Sequence, residues 1–368
     1  MSETKKSHGT EAVNQEFIRY DQVEKAHTYH LAEDGQEDFD EDFQIKTCDL
    51  DQFLNGGEAG KERFAQEIGS ALEDIGFAIL EGHGVDTTLH DDAVGKVIEC
   101  FTETTLDDRN RFRAARHGSV SQGYFPIKET SDIHPDLVEG WVFCRRAFDI
   151  PQERTEPFRA EDYWPIAELE PFFRQIVLQH EKLFLPLIQS AFRYLGVDPH
   201  HYDEKLTGAN FGLRLNYYPP VSKEDDESGA GRLLGHEDVD LLTILPAPEV
   251  EGLQAFNRTT GKWVRVKAPK GSIIINTGDY MQRISNDIFP STTHRVSKPK
   301  GRTQLGTSRV SIPMAVYTWE DEMLEVLPGI PDPKYEPIKS ITFHTRTTAK
   351  FYGDDYAVEA TDHAEESK

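Results

Sequence analysis

The sequence predicts a mainly β fold with flanking helices: a helix-rich N-terminal part leading into a β sandwich or barrel. Two observations carry this. Residues 168–195 have the strongest helical spacing in the chain, with Leu169, Phe172, Phe173, Ile176, Leu183, Phe184, Leu187, Ile188, Ala191 and Leu195 recurring every three or four positions. After about residue 208 the pattern becomes β-like. FGLRLNYYPP, DLLTILPA, GLQAFN, KWVRVKA, GSIIINTGD, HRVS and SRVSIPMAVY are short and separated by Gly, Pro, Asn or Asp. Regular short strands with turn signals build sandwiches and barrels.

Taken in order, residues 1–42 are polar and end in the acidic run EDGQEDFDED, and are expected to form a solvated, partly disordered arm. Residues 43–200 form the mixed α/β part. Within it, FQIKTCDLDQFL reads as a strand and turn. Phe64, Ile68, Ala71, Leu72 and Ile75 give a helix over 61–76 that Gly76 should stop. FAILEGHGV follows as a strand and a Gly-rich turn, and a second helix is expected over 87–105. SQGYFP and EGWVFCRRAFDIP lie among short strands and loops. Pro186 interrupts the long helix, and Gly196 should end it. The β part spans 201–353, and the acidic tail 354–368 is expected to fray.

Composition narrows the function. Of 368 residues, 37% are hydrophobic, enough for a substantial core. The formal charge of −25 opposes a nucleic-acid partner and docking on an anionic membrane. Cys48, Cys100 and Cys144 are odd in number and widely spaced, which argues against a disulfide framework or a structural zinc site. No apolar run approaches a membrane span, and MSETKKSHGTEA lacks the apolar region of a signal peptide. A cytoplasmic protein is expected.

The chemistry concentrates in HEDVDLLTIL. In a strand, residues two apart share a face, so His236 and Asp238 point together while Glu237 points away. An imidazole and a carboxylate make two corners of a metal site. His294, in STTHRVS, is the candidate for the third. Two histidines and one carboxylate suit ferrous iron. Alone, the pair is also consistent with an ordinary surface strand. In SRVSIPM, Arg309 and Ser311 again share a face, and a guanidinium fork beside a hydroxyl is a carboxylate receptor. LRLNYYPP adds Asn216 and Tyr218 at the same spacing. Polar groups aimed into an apolar barrel need a ligand or partner to satisfy them.

These residues resemble a known family. N-Y-Y-P (Asn216 to Pro219), H-x-D (His236, Asp238), G-L-Q (Gly252 to Gln254), N-x-G-D (Asn276, Gly278, Asp279), S-N (Ser285, Asn286), H-R-V (His294 to Val296) and R-x-S (Arg309, Ser311) stand in the order found in the isopenicillin N synthase-like family of Fe(II)/2-oxoglutarate-dependent oxygenases. DIGFAILEGHGV, SQGYFP and DYWP resemble that family's N-terminal region, so the likeness covers roughly residues 43–350. It implies a double-stranded β-helix, or jelly-roll, core. It implies that His236, Asp238 and His294 hold Fe(II), and that Arg309 and Ser311, assisted by Tyr218 and Asn216, bind the distal carboxylate of 2-oxoglutarate. The implied enzyme is a dioxygenase that consumes O2 to hydroxylate or desaturate a small molecule, releasing succinate and CO2. An isopenicillin N synthase-like oxidase without 2-oxoglutarate, an ethylene-forming enzyme and a non-enzymatic binding module are the alternatives.

Two departures stand out. KPKGRTQLGTS lengthens the stretch between His294 and Arg309, expected as an extended hairpin tip, and makes Arg302 a rival carboxylate binder. Met314 and Ala315 stand where many relatives carry an aromatic residue, which implies a differently shaped pocket. Trp141, Val239 to Leu241, Met314 and Val316 are candidates for its lining, with Arg145 and Arg146 at its mouth. His83, Asp279 and an outward-pairing Arg295 are expected to be structural.

Overall fold

Two mostly antiparallel layers form because the β part alternates between residues that meet each other and residues that meet the helices. The computed structural model describes residues 19–22, 25–28, 37–117, 120–127, 136–151, 157–227, 231–298, 306–344 and 347. Most of the polar arm expected over 1–42 and all of the tail 354–368 lie outside the described residues, as does Arg302. What is described of the arm is a hairpin, Arg19–Gln22 against Lys25–Thr28, and residues 37–42.

The strands are β1 (Thr47–Asp49), β2 (Phe77–Glu81), β3 (Val120–Phe125), β4 (Glu139–Cys144), β5 (Asn210–Tyr218), β6 (Leu233–His236), β7 (Leu242–Pro246), β8 (Leu253–Asn257), β9 (Lys262–Arg265), β10 (Ile273–Thr277), β11 (His294–Val296), β12 (Arg309–Ser311) and β13 (Met314–Tyr317). The larger sheet runs β1-β2-β10-β7-β13-β5-β4-β3, with a short strand at 115–117 beyond β3 and with β12 also paired to β5. The smaller sheet runs β9-β8-β11-β6. Strands from before and after residue 200 are therefore hydrogen-bonded into one sheet. This is the jelly-roll architecture.

The helices are α1 (Gly57–Ile75), α2 (Thr87–Thr102), α3 (Glu170–Tyr194) and the short α4 (Asp279–Ile284). The first three cover the outer face of the larger sheet. Their apolar stripes, with Phe64, Ile68, Val97, Phe173, Ile176 and Leu187, share one core with Phe143, Phe211, Leu213, Ile244 and Met314. A second core fills the space between the sheets, with Phe77, Ile79, Leu245 and Ile274 from one and Leu253, Ala255, Val264 and Val296 from the other. No helix among the described residues is long and apolar enough to cross a membrane.

The last turn of α1 fixes the approach to β11. Gly76 caps the helix in the left-handed conformation (φ 71°), its N–H bonded to Leu72 O at 2.7 Å. A Cβ there would stand 2.5 Å from Pro290 O. Thr292 Oγ1 donates to Ile75 O at 2.6 Å, and Thr277 N–H donates to Gly76 O at 3.0 Å. The helix end is thereby bolted to the segment that leads into β11. Helices α2 and α3 meet through His90 and His180, whose Nε2 atoms are 3.0 Å apart. Burial first, then neighbouring histidines, lowers both; His90 falls to about 4.

The end of the acidic arm docks rather than floats. Phe39 bridges to Trp263, Arg265 lies 3.8 Å over the Phe39 ring, and Glu37 pairs with Arg295 at 2.9 Å.

Gly76→Ala is expected to destabilise the protein by at least about 1–2 kcal/mol in urea unfolding, because the left-handed backbone disfavours any Cβ and Pro290 blocks it. The two histidines predict a pH effect. Their folded-state pKa values lie below that of an unfolded histidine, so the unfolded chain binds more protons and stability is lost as pH falls from about 6.5 toward 4. The denaturation midpoint should drop over that range, and His180→Leu should flatten the drop.

Candidate functional site

Strands β6 and β11 pair with His294 opposite His236. Their ring centroids are 4.3 Å apart. His236 Nε2 is 3.8 Å from Asp238 Oδ1, and His294 Nε2 is 3.7 Å from Asp238 Oδ2. One ligand atom from each of the three lies within 4.8 Å of the others, a grouping that could hold a metal ion. Each imidazole is oriented from behind. His236 Nδ1 meets Leu234 O at 2.8 Å, and His294 Nδ1 meets Thr292 O at 3.0 Å. A carbonyl only accepts, so each Nδ1 carries the proton and each Nε2 presents its lone pair. Phe77 packs edge-on against His294. Burial, then the neighbouring His294, lowers His236 to about 4 and keeps it neutral.

Asp238 lies beyond the end of β6, not on a strand with His236, so strand alternation is not what aims it. Other groups do. Asn276 Nδ2 donates to Asp238 Oδ2 at 2.8 Å, and Thr243 Oγ1 lies 2.9 Å from the same atom. Asn276 and Thr243 are cross-strand partners on β10 and β7. From α4, Asp279 N–H donates to Asp238 O at 2.8 Å and Tyr280 N–H to Asp240 O at 3.0 Å. Gly278 permits this, since a Cβ there would stand 2.7 Å from Asp238 O. Burial alone would raise Asp238, but the two histidines and the Asn276 and Thr243 bonds outweigh it and leave it below the usual carboxylate range. Burial and the Asp238 charge push Asp240 well above that range. Thr243 Oγ1 also lies 2.6 Å from Asp240 Oδ2, so this one hydroxyl bridges the two carboxyl groups. Glu237, between His236 and Asp238 in sequence, is buried against Arg258 and Thr293.

The carboxylate-receptor residues come together across β5 and β12. Arg309 is the direct partner of Tyr218, and Ser311 of Asn216. Arg309 is 1% exposed, lies 4.9 Å over the Tyr218 ring and donates from Nε to Val250 O at 3.1 Å. Its Nη1 has no partner among the described residues. Two cations outside the sequence motifs stand nearby. Arg214, two residues before Asn216 on the same face of β5, has a buried Nε without a described partner and lies close enough to help lower His236. Arg232, just before β6, is fully buried. Continuing the Asn216–Tyr218 alternation backwards finds Arg214. It does not find Arg232, which lies on a different segment, just before β6.

The residues expected to line a pocket fare differently. Trp141, Leu241, Met314 and Val316 belong to the helix-side core, with Val239 packed against it. Trp141 pairs with Leu215 and Met314 with Leu213, on the face of β5 opposite Arg214 and Asn216. The inward positions are Gly212 and its partner Ala315, which leave room, and Phe125, Val142 and Cys144, an apolar group beside Arg214. Arg145 is held by Glu181 and Gly208 O. His83 has both ring nitrogens engaged, with Gly271 O and Val85 N–H. Arg295 points away from the iron-type cluster as expected, yet it is buried beneath Glu37 and stacked on Trp263 rather than outward.

Comparison with known proteins agrees with this geometry. Residues 209–316 match the model of the 2OG-Fe(II) oxygenase superfamily, and residues 45–167 match that of the non-haem dioxygenase in morphine synthesis N-terminal region. The 2-oxoglutarate-dependent dioxygenase citB of Monascus ruber is 28% identical over 69% of this chain and 80% of its own. Isopenicillin N synthase of Streptomyces jumonjinensis is 26% identical over 81% and 91%. A 2OG-Fe(II) oxygenase family protein from Caulobacter crescentus superposes with TM-score 0.68 at 27% identity, covering 83% of this chain and 98% of that one. The chain belongs to the 2OG-Fe(II) oxygenase superfamily, in its isopenicillin N synthase-like branch. It is an oxidoreductase, a dioxygenase whose cofactors are Fe(II) and 2-oxoglutarate.

Asn276→Ala removes the amide donor to Asp238 without touching the cluster's own atoms. Fe(II) affinity, measured by anaerobic titration, is expected to fall roughly 10- to 100-fold while the fold is retained.

Proposed function

We propose that His236, Asp238 and His294 ligate the iron, that Arg309 with Ser311, Tyr218 and Asn216 binds the distal carboxylate of 2-oxoglutarate, and that the enzyme hydroxylates or desaturates a small molecule. The observation that carries this is a pair of unlike half-sites, one from each sheet. The smaller sheet and the loop after it supply three convergent donor atoms, and the larger sheet supplies a buried guanidinium whose Nη1 has no described partner. The donor set fits the ion: two neutral imidazoles and one carboxylate suit ferrous iron. The guanidinium fits the anionic end of a dicarboxylate.

Bound together, iron and 2-oxoglutarate supply O2 activation coupled to decarboxylation, with succinate and CO2 as co-products. The chain's own residues do the rest. Leu234 O and Thr292 O hold the protons of the two imidazoles on Nδ1. Asn276 and Thr243 keep Asp238 an oriented carboxylate. Arg309, fixed by Val250 O, offers its remaining donor to the cosubstrate. Gly212 and Ala315 leave space for a substrate, and Phe125 and Val142 keep part of its wall dry. We also assign the enzyme to the cytoplasm, which the three buried free thiols Cys48, Cys100 and Cys144 support.

The test is anaerobic reconstitution with Fe(II) followed by 2-oxoglutarate. A visible charge-transfer band should appear for the wild type and be absent in His236→Ala, and O2 uptake should then release succinate. O2 uptake without succinate would replace this reading with an oxidase that uses no 2-oxoglutarate.

A further inference from the structure

Arg232 is a buried cation with unused donors and no assigned role. It is 0% exposed. Its Nη2 donates to Thr307 O at 2.8 Å, while Nε and Nη1 have no partner among the described residues. Thr307 is two residues before Arg309, and Arg309 is likewise buried with a free Nη1. Burial first, and then the Arg309 charge, lowers Arg232 to about 10, with Tyr218 opposing. It remains charged at neutral pH. Among the described residues neither arginine makes a salt bridge to a carboxylate.

Two neighbouring guanidinium ions in a dry interior repel each other, and each unmet donor carries a desolvation cost. The observed bonds do not offset this, because they are single bonds to neutral carbonyls. An anion would. A carboxylate has two oxygens and about four lone-pair sites, enough for two guanidinium donors at once.

We propose that Arg232 is a second binding residue for the distal carboxylate of 2-oxoglutarate, so that this carboxylate is held between two arginines rather than by Arg309 and hydroxyl groups alone. The inference rests on the proposed 2-oxoglutarate site and deepens it. It also bears on selectivity. A doubly cationic end wall favours 2-oxo acids that carry a second carboxylate and disfavours those ending in a methyl group.

The test is a binding comparison on the Fe(II)-loaded, oxygen-free protein by calorimetry. The two probes are 2-oxoglutarate and oxalate, which has an iron-chelating end but no distal carboxylate. Arg232→Met should weaken 2-oxoglutarate roughly 10- to 100-fold, the loss typical of a charged hydrogen-bonding partner, and leave oxalate unchanged. Equal losses for both probes would make Arg232 a structural residue and overturn the proposal, as would no loss for either. Arg232→Lys keeps the charge and removes the fork, so it serves if the Met variant does not fold. A loss confined to 2-oxoglutarate supports the proposal again, and unchanged affinity overturns it. Failure of the wild type to bind 2-oxoglutarate while binding iron would instead remove the underlying reading.

Discussion

Each imidazole of the site is turned by the carbonyl two residues before it, and the geometry of the whole centre hangs on that pair of hydrogen bonds. Without the Leu234 and Thr292 carbonyls, two rings 4.3 Å apart would be free to choose tautomer and rotamer. With them, both Nε2 lone pairs face Asp238. The carbonyls in turn need fixed backbone. For Thr292 it comes from the end of α1, through the Ile75 and Gly76 contacts. For Leu234 it comes from Asp136, whose Oδ1 accepts the Leu234 N–H at 2.9 Å. Each histidine is therefore tied, two bonds away, to a part of the chain far from it in sequence.

Much of this was legible in the sequence, though for reasons that hold unevenly. Alternation correctly made Arg309 and Ser311 one group and Asn216 and Tyr218 another, and the structure makes them direct cross-strand partners. The same argument named His236 and Asp238, but Asp238 sits past the strand end, and long-range bonds from Asn276 and Thr243 aim it. Those bonds depend on the register of β7 against β10, which local pattern does not fix. Alternation also fails to say which face is inner when both are buried. The larger sheet is covered by helices outside and by the smaller sheet inside, so Trp141, Met314 and Val316 looked as inward as Gly212 and Ala315.

The N-terminal residues show a related limit. Acidic composition predicts solvation of the arm, yet Glu37 finds a buried cation in Arg295, and Phe39 a groove beside Trp263. Arg295 adjoins His294 and faces the other way, so the arm's end braces the His294 strand from outside while α1 braces it from the end. Charge runs describe a segment's average and miss the single residue that meets a partner 258 positions away.

Charge sets the character of the site against that of the molecule. The chain carries −25, but its inner strip holds Arg214, Arg232 and Arg309. Of the acids nearest the cluster, Asp240 has its pKa raised well above the usual carboxylate range by burial and by the Asp238 charge. An anionic cosubstrate therefore approaches through a repelling field and binds in an attracting one. Screening by salt weakens the outer field, which acts across water, much more than it weakens the inner one, which acts at contact in a dry interior. Affinity for a dicarboxylate must then come from the buried donors themselves and not from long-range steering. On the proposed site, recognition then rests on the arrangement of a few guanidinium groups, and the unused donors of the buried Arg232 and Arg309 are the groups that would meet the anion.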